Sequence, residues 1–296
     1  MRRWRDAARG SMRVVSERPD MWLPGALAWV SSIGWIPFVV AVVRPPTVAE
    51  LTFLGAGIVS SGSWPWNAVI IGGAAVGLVI LAFALVATAN AVLIGLIERR
   101  ATSGGDIGRI FVVSLVAALP AALAVMVVSV AAVTIAQRAF NAPDPSGGPV
   151  MRMVTGLAPY LALLGLTIAA GAAFAAVAGR LAVRRGNGVL RALRSAPAIA
   201  VRAASASHAM VVLAAQLVFL CFSTLLLGVL WAPIGAQLTS GGGFDIAIGL
   251  LLVGFVAIWL CLVLAGGALH AWSAATWSRL LAADALEETV EPAWKP

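Results

Sequence analysis

Residues 67–97 read NAVIIGGAAVGLVILAFALVATANAVLIGLI, without one charged side chain, and the run stops abruptly at Glu98, Arg99 and Arg100. A bilayer-spanning helix needs about 20 mostly apolar residues. In lipid the backbone must satisfy its own polar groups, which a single segment does only as a helix. The stretch therefore predicts a transmembrane helix, and the arginines that stop it mark a headgroup layer. The preceding SSGSWPWN, residues 60–67, reads as a loop.

Working outward, five further runs have the same character: 21–43, bounded by Asp20 and Arg44, then 110–136, 153–179, 210–237 and 246–270. The whole chain agrees, with 61% hydrophobic residues, 11% charged and a mean hydropathy of +0.99. Soluble domains carry about 45–50% apolar and about 25% charged residues. The expected fold is all-α: a polytopic bundle of six transmembrane helices arranged as three hairpins over 21–280. An amphipathic interfacial helix is expected over 1–20 and an acidic tail over 281–296. The first run is too long for the apolar core of a signal peptide and reads as an uncleaved anchor.

The basic residues set the orientation. The segment before the first span, the loops after the second and fourth, and the tail hold seventeen of the twenty Lys and Arg. Arginine and lysine accumulate on the cytoplasmic side, so both termini are expected there. The +8 net charge is thus distributed along a topology and forms no single basic face, which argues against nucleic acid as a partner.

The opening MRRWRDAARGSMRVV places Arg2, Arg5, Arg9 and Arg13 on one side of a helix and Trp4, Ala8 and Val15 on the other. One reading is an interfacial helix, its arginines on anionic headgroups at about 1 kcal/mol each and Trp4 anchored in the headgroup zone. The other is an enlarged topology signal. The acid-free loop RLAVRRGNGVLRALRSAPAIAVRAASASHA reads as two short interfacial helices, an elbow before the fifth span. Its Arg184, Arg185, Arg191, Arg194 and Arg202 either snorkel to lipid phosphates or dock a cytoplasmic partner.

Small residues recur at four-residue spacing at Gly73 and Gly77 and at Gly171, Ala175 and Gly179. Such spacing lets membrane helices approach closely, within the chain or between copies. Pro24, Pro37, Pro120 and Pro159 are expected to bend or interrupt their helices. Trp22, Trp272 and Trp277 suit a cytoplasmic aromatic belt, Trp64, Trp66 and Trp231 an outer one, and Trp29, Trp35 and Trp259 internal packing.

Chemistry is sparse. Apart from His208 and His270 near the boundaries, no titratable acid or base lies within a span, which argues against ion-coupled transport. No HExxH, GxSxG or GxxxxGK[ST] pattern occurs, and the acids Glu287, Glu288 and Glu291 read as a solvated helix end. No enzyme activity, cofactor or metal is therefore expected. His208 and His270 each form an interfacial hydrogen bond or, brought together, a two-imidazole site. Asn90, Gln216, Thr88, Thr167, Ser223 and Thr224 serve as interhelical polar contacts or converge with Tyr160 on a polar pocket. Cys221 and Cys261 behave as small hydrophobes.

The SERPDMWLPGALAWVSSIGWIPFVVAVV approach to the first helix, the arginine-ended inward helices and the basic elbow resemble a loose group of six-helix bacterial membrane proteins. That group includes the membrane domain attached to some bacterial glycerophosphodiester phosphodiesterases. The resemblance implies a fold, a bacterial inner-membrane location and a lipid-facing habit, and transfers no functional residue. Two functions are expected from this pattern. One is a non-catalytic scaffold, accessory subunit or lipid-handling component, with a protein partner or a second copy. The other is the permease subunit of a transporter energised by a separate cytoplasmic ATPase.

Overall fold

The structure is a computed structural model. It describes residues 2–44, 50, 53, 56, 57, 59–141, 148–184, 188–240 and 245–290, with all their side chains except those of Arg2, Phe140, Asn141, Pro149, Val150 and 284–290. Among the described residues there is no strand. The elements are α1 (Arg2–Glu17), α2 (Trp22–Trp29), α3 (Ile36–Val42), α4 (Trp66–Glu98), α5 (Gly104–Asn141), α6 (Pro149–Val183), α7 (Val189–Ala200), α8 (Ala203–Thr239) and α9 (Ile246–Val290).

Helices α4, α5, α6, α8 and α9 are each long and apolar enough to cross a membrane. The first apolar run, 21–43, is interrupted next to Pro37, one of the prolines expected to bend or break a helix. It is broken into Pro19–Gly34 and Ile36–Val42, which meet at 51° and make a sixth span only if taken together. The break has two local causes. Val30–Gly34 forms a wide π turn, and Pro37 follows with no N–H to continue the ladder. Pro120 and Pro159, expected to bend or interrupt their helices, leave α5 and α6 continuous, and α8 likewise runs through Pro233.

Packing is gathered at one end, here called the base, which carries Glu98, Arg100, Arg180, Arg184 and the two short helices α1 and α7. Val113, Val177, Ala178 and Ala182 meet Ala192 and Ala196 of α7 and Trp277, Leu280 and Leu281 of α9. Leu93 meets Met21, Val15 and the Ala271–Ala275 stretch of α9, while Ala87, Ala91 and Ile94 meet Ile110 and Val183. Alanine dominates because small side chains let helices approach where lipid supplies no hydrophobic drive.

Away from the base the bundle divides. Leu227, Ile234, Phe255 and Leu262 pack with Phe38, Trp231 and Trp259, joining α3, α8 and α9. Helices α5 and α6 run antiparallel against each other: Gly156 faces Ile135, Gly171 faces Ala117 and Gly179 faces Ile110. Between these two groups α4 is bare. Every residue from Val69 to Leu81 is exposed, on all faces of the helix.

Candidate functional site

The polar chemistry of the chain concentrates at the base, and it begins with how α1 is seated. Arg5, Arg9 and Arg13 stand on its exposed face, and the Arg2 side chain lies outside the described residues. The opposite face packs on protein. Ser11 and Val15 are buried, the Trp272 indole donates to the Ala8 carbonyl at 3.0 Å, and the Trp22 indole donates to the Val15 carbonyl at 2.9 Å. Gly10 sits under Arg279, whose guanidinium occupies the space a Cβ would need. Trp4, expected in the headgroup zone, points its indole N–H at His208 Nδ1, 3.3 Å away.

That bond fixes the state of His208. With Nδ1 accepting, the ring hydrogen sits on Nε2 and donates to the Ser273 carbonyl at 3.3 Å, with the Ser273 hydroxyl at 3.4 Å. The buried ring stands edge-on to Trp272 and Trp277, centroids 5.6 and 4.9 Å away. His270 has a different partner, Asn90 Oδ1 at 3.1 Å, and the two histidines share no hydrogen-bond partner. Among the described residues no three His, Cys, Asp or Glu side chains converge as metal ligands.

Beside this lies a chain of charges. Glu98, the last residue of α4, accepts from Arg184 at 2.6 Å and from Arg100 at 3.2 Å. Arg100 continues to Asp106 at 2.9 Å, which also lies 3.7 Å from Arg109. Asp106 and Ser103 cap each other's backbone amides at 3.2 Å, a reciprocal box that starts α5. The tight corner before it has Arg99 in the left-handed region, φ 53°, where it closes the end of α4. Burial works against the Arg100 cation, but the bonds to Asp106 and Glu98 outweigh it and raise its pKa above the ordinary guanidinium value. Arg18 adds a further tie, donating to the Leu96 carbonyl at 2.9 Å while paired with Asp20.

Arg180 is the most enclosed of these groups, with 4% of its surface exposed. It has no carboxylate within ion-pairing distance among the described residues. Its donors go to Ser278 Oγ at 3.0 Å and to the Ala274 and Ala176 carbonyls at 2.8 Å each. A guanidinium suits this place because its planar fork reaches three acceptors on two helices. Arg184 repeats the pattern one turn on, bonding the Ser278 carbonyl as well as Glu98. The base is thus a clasp in which Arg180 of α6 and Arg184 just past its end grip α9, and Arg184 grips α4 as well.

The residues expected to dock a partner separate accordingly. Arg184 is engaged in the clasp, Arg185 lies outside the described residues, and Arg191, Arg194 and Arg202 are exposed. Of the small residues, Gly171 is in close contact, since a Cβ there would meet the Ala117 carbonyl oxygen at 2.7 Å, and Gly179 lies at ordinary distance from Ile110. Ala175 is half-buried. Gly73 and Gly77 differ: among the described residues a Cβ at either would have nothing within 4 Å. The closest helix crossing was not singled out from the sequence at all. Gly25 of α2 faces the Gly267 carbonyl of α9, and the Trp29 ring lies between Gly34 and Gly266. The clustered PGALAW and LAGGALH stretches, residues 24–29 and 264–270, are the signal that could have shown it.

Thr88 and Thr167 turn their hydroxyls to carbonyls of their own helices, at 2.8 and 2.9 Å. Cys221 and Cys261 are free and exposed.

The apolar helices and their arginine-clasped base define a multi-pass α-helical membrane protein, with five or six apolar helices able to span. No family model matches the chain, and neither a curated protein nor a solved structure matches it.

Proposed function

We propose that the chain is a non-catalytic membrane subunit, a scaffold or accessory component of the bacterial inner membrane. In this reading the base faces the cytoplasm, and α4 offers its far half to another transmembrane helix. One observation carries the reading: α4 is uncovered on all sides from Val69 to Leu81, and Gly72, Gly73 and Gly77 on that stretch have open space where a Cβ would stand. In lipid, small residues without an intrachain neighbour suit close approach by a second helix. The base supports the same reading from the other side, because Glu98, Arg100, Asp106, Arg180 and Arg184 are engaged with one another or with the helices they join. The resemblance to six-helix bacterial membrane domains rests on the sequence pattern.

The experiment is purification from the native membrane in mild detergent at endogenous level, with mass spectrometry of what co-purifies in stoichiometric amount. The expected result is an integral membrane partner or a second copy. It should be lost when Gly73 and Gly77 are both replaced by isoleucine, while the variant chain still folds. Retention of the partner by that variant would overturn the role of α4.

A second reading has its own observation. Helix α7 is held to the core by Ala192 and Ala196, and it presents Leu190, Arg191 and Arg194 outward, with Val201 just beyond its end. Such a surface suits a cytoplasmic ATPase, as in a permease subunit. Co-purification of a nucleotide-binding subunit, abolished by Arg191→Glu with Arg194→Glu, would select it.

A further inference from the structure

Where α1 begins, it lies across the first turns of α8, and the two leave a cavity of about 470 Å³ lined by Trp4, Arg5, Ala206, Ser207, Met210 and Val211. One wall is fixed, because the Trp4 indole is pinned to His208. Arg5 is exposed at the rim, and among the described residues no carboxylate lies within ion-pairing distance of it. Asp6 is the acid of α1 nearest this rim, and Arg5 and Arg9 on the same exposed side outnumber it.

The first turn of α8 adds to this. No side chain caps it at Arg202, which leaves early amides of a 37-residue helix at the positive end of its dipole. Below the rim the chemistry changes abruptly. Met210 and Val211 are exposed, and Leu217, Val218 and Leu225 continue the same face of α8 away from the base. A cationic rim with a hydroxyl, standing over an apolar track that runs into the membrane, matches a molecule with a phosphate at one end and a hydrocarbon chain at the other.

We propose that this groove holds one anionic phospholipid, its phosphate between Arg5 and Ser207 and an acyl chain along Met210, Val211 and Leu217. A guanidinium and a hydroxyl give the phosphate oxygens charge-assisted hydrogen bonds, and the apolar track excludes a free phosphate as the better occupant. The site goes beyond the diffuse attraction of α1 for a charged leaflet, because it places one lipid at one arginine. It is independent of whether α4 takes a partner helix.

The test is native mass spectrometry of the full chain released from micelles doped with equal amounts of phosphatidylglycerol and phosphatidylcholine of matched acyl chains. One phosphatidylglycerol should be retained in preference. Arg5→Gln should lower its occupancy about tenfold, the size of one lost charge-assisted bond. Arg5→Lys should restore part of it, and Ser207→Phe, which fills the groove from the α8 side, should abolish it. Arg13→Gln, on the same exposed face but away from the groove, should leave it unchanged. Equal losses from Arg5→Gln and Arg13→Gln would overturn the site in favour of diffuse attraction. Equal retention of phosphatidylcholine would overturn the charge selection, and displacement by soluble glycerol 3-phosphate would overturn the lipid as occupant.

Discussion

The base and the far half of α4 belong to one continuous helix, yet they live by different rules. At its last residue α4 is held by Arg184 and Arg100 through Glu98, and one turn earlier it is buried against α2, α5 and α9. Between Val69 and Leu81 no described residue covers it. The sequence is about equally apolar in both halves, so hydrophobicity does not make the difference. Directional groups do, because in lipid an apolar side chain gains little by leaving the tails for another helix. The lesson is that this molecule is fastened at one end by hydrogen bonds and ion pairs, and that its far surfaces are left to whatever the membrane supplies.

Four substitutions test that contrast, beginning with the largest effect. Gly267→Leu should prevent the folded state, since even a Cβ would lie within about 2.6 Å of backbone atoms of Trp22 and Ala26. Overpacking of this kind costs about 3 kcal/mol or more, and the check is loss of the monodisperse peak in size-exclusion chromatography. Survival of a normal peak would mean that the α2–α9 crossing is looser than described.

Glu98→Gln should come next, at about 2 kcal/mol, because it leaves Arg184 and Arg100 without their shared carboxylate in a partly buried site. Thermal unfolding in detergent would measure it. The double variant with Arg184→Gln should fall short of the sum of the single losses, the mark of a direct pair. Trp4→Phe should be milder, about 1 kcal/mol for one hydrogen bond to a neutral imidazole. Its sharper readout is faster proteolysis within α1, which the same substitution would leave unchanged if the indole bond did not hold the helix down. At the bottom of the scale, Gly77→Leu should leave the melting temperature of the isolated chain where it is. A marked drop there would erase the contrast, because it would show that α4 is covered after all.

Much of this architecture was legible in the sequence, and the gaps have physical reasons. Uncharged runs such as 67–97 and 246–270 declare membrane helices because charge in hydrocarbon is costly wherever it falls. A helical wheel gave the correct exposed face of α1 at Arg5, Arg9 and Arg13, but not what its other face meets. Amphipathicity says that a side wants to leave water, and both lipid and the Trp272 surface of α9 satisfy that. Arg184 reads in the sequence as a snorkelling or docking residue and Arg180 only as one more charge of its loop, because sequence counts charges without their partners. Only the fold brings Glu98 of α4 and Ser278 of α9 beside them. Gly73 and Gly25 sit in similar small-residue patterns, and only the second meets a backbone.

One feature of α9 carries further than its packing. At 45 residues and about 1.5 Å per residue it is a rod of about 67 Å, longer than a bilayer with its headgroups. Its tight crossing with α2 at Gly267 falls close to the midpoint. The clasp holds the same rod again at Ala274 and Ser278, so Gly267 and Ser278 fix it at two points about 16 Å apart by the helical rise. A rod held at two points does not pivot on either. Strain in the lobe that rides on Phe255 would therefore bend the stretch between Phe255 and Gly267 and leave the turns around Trp277 in place.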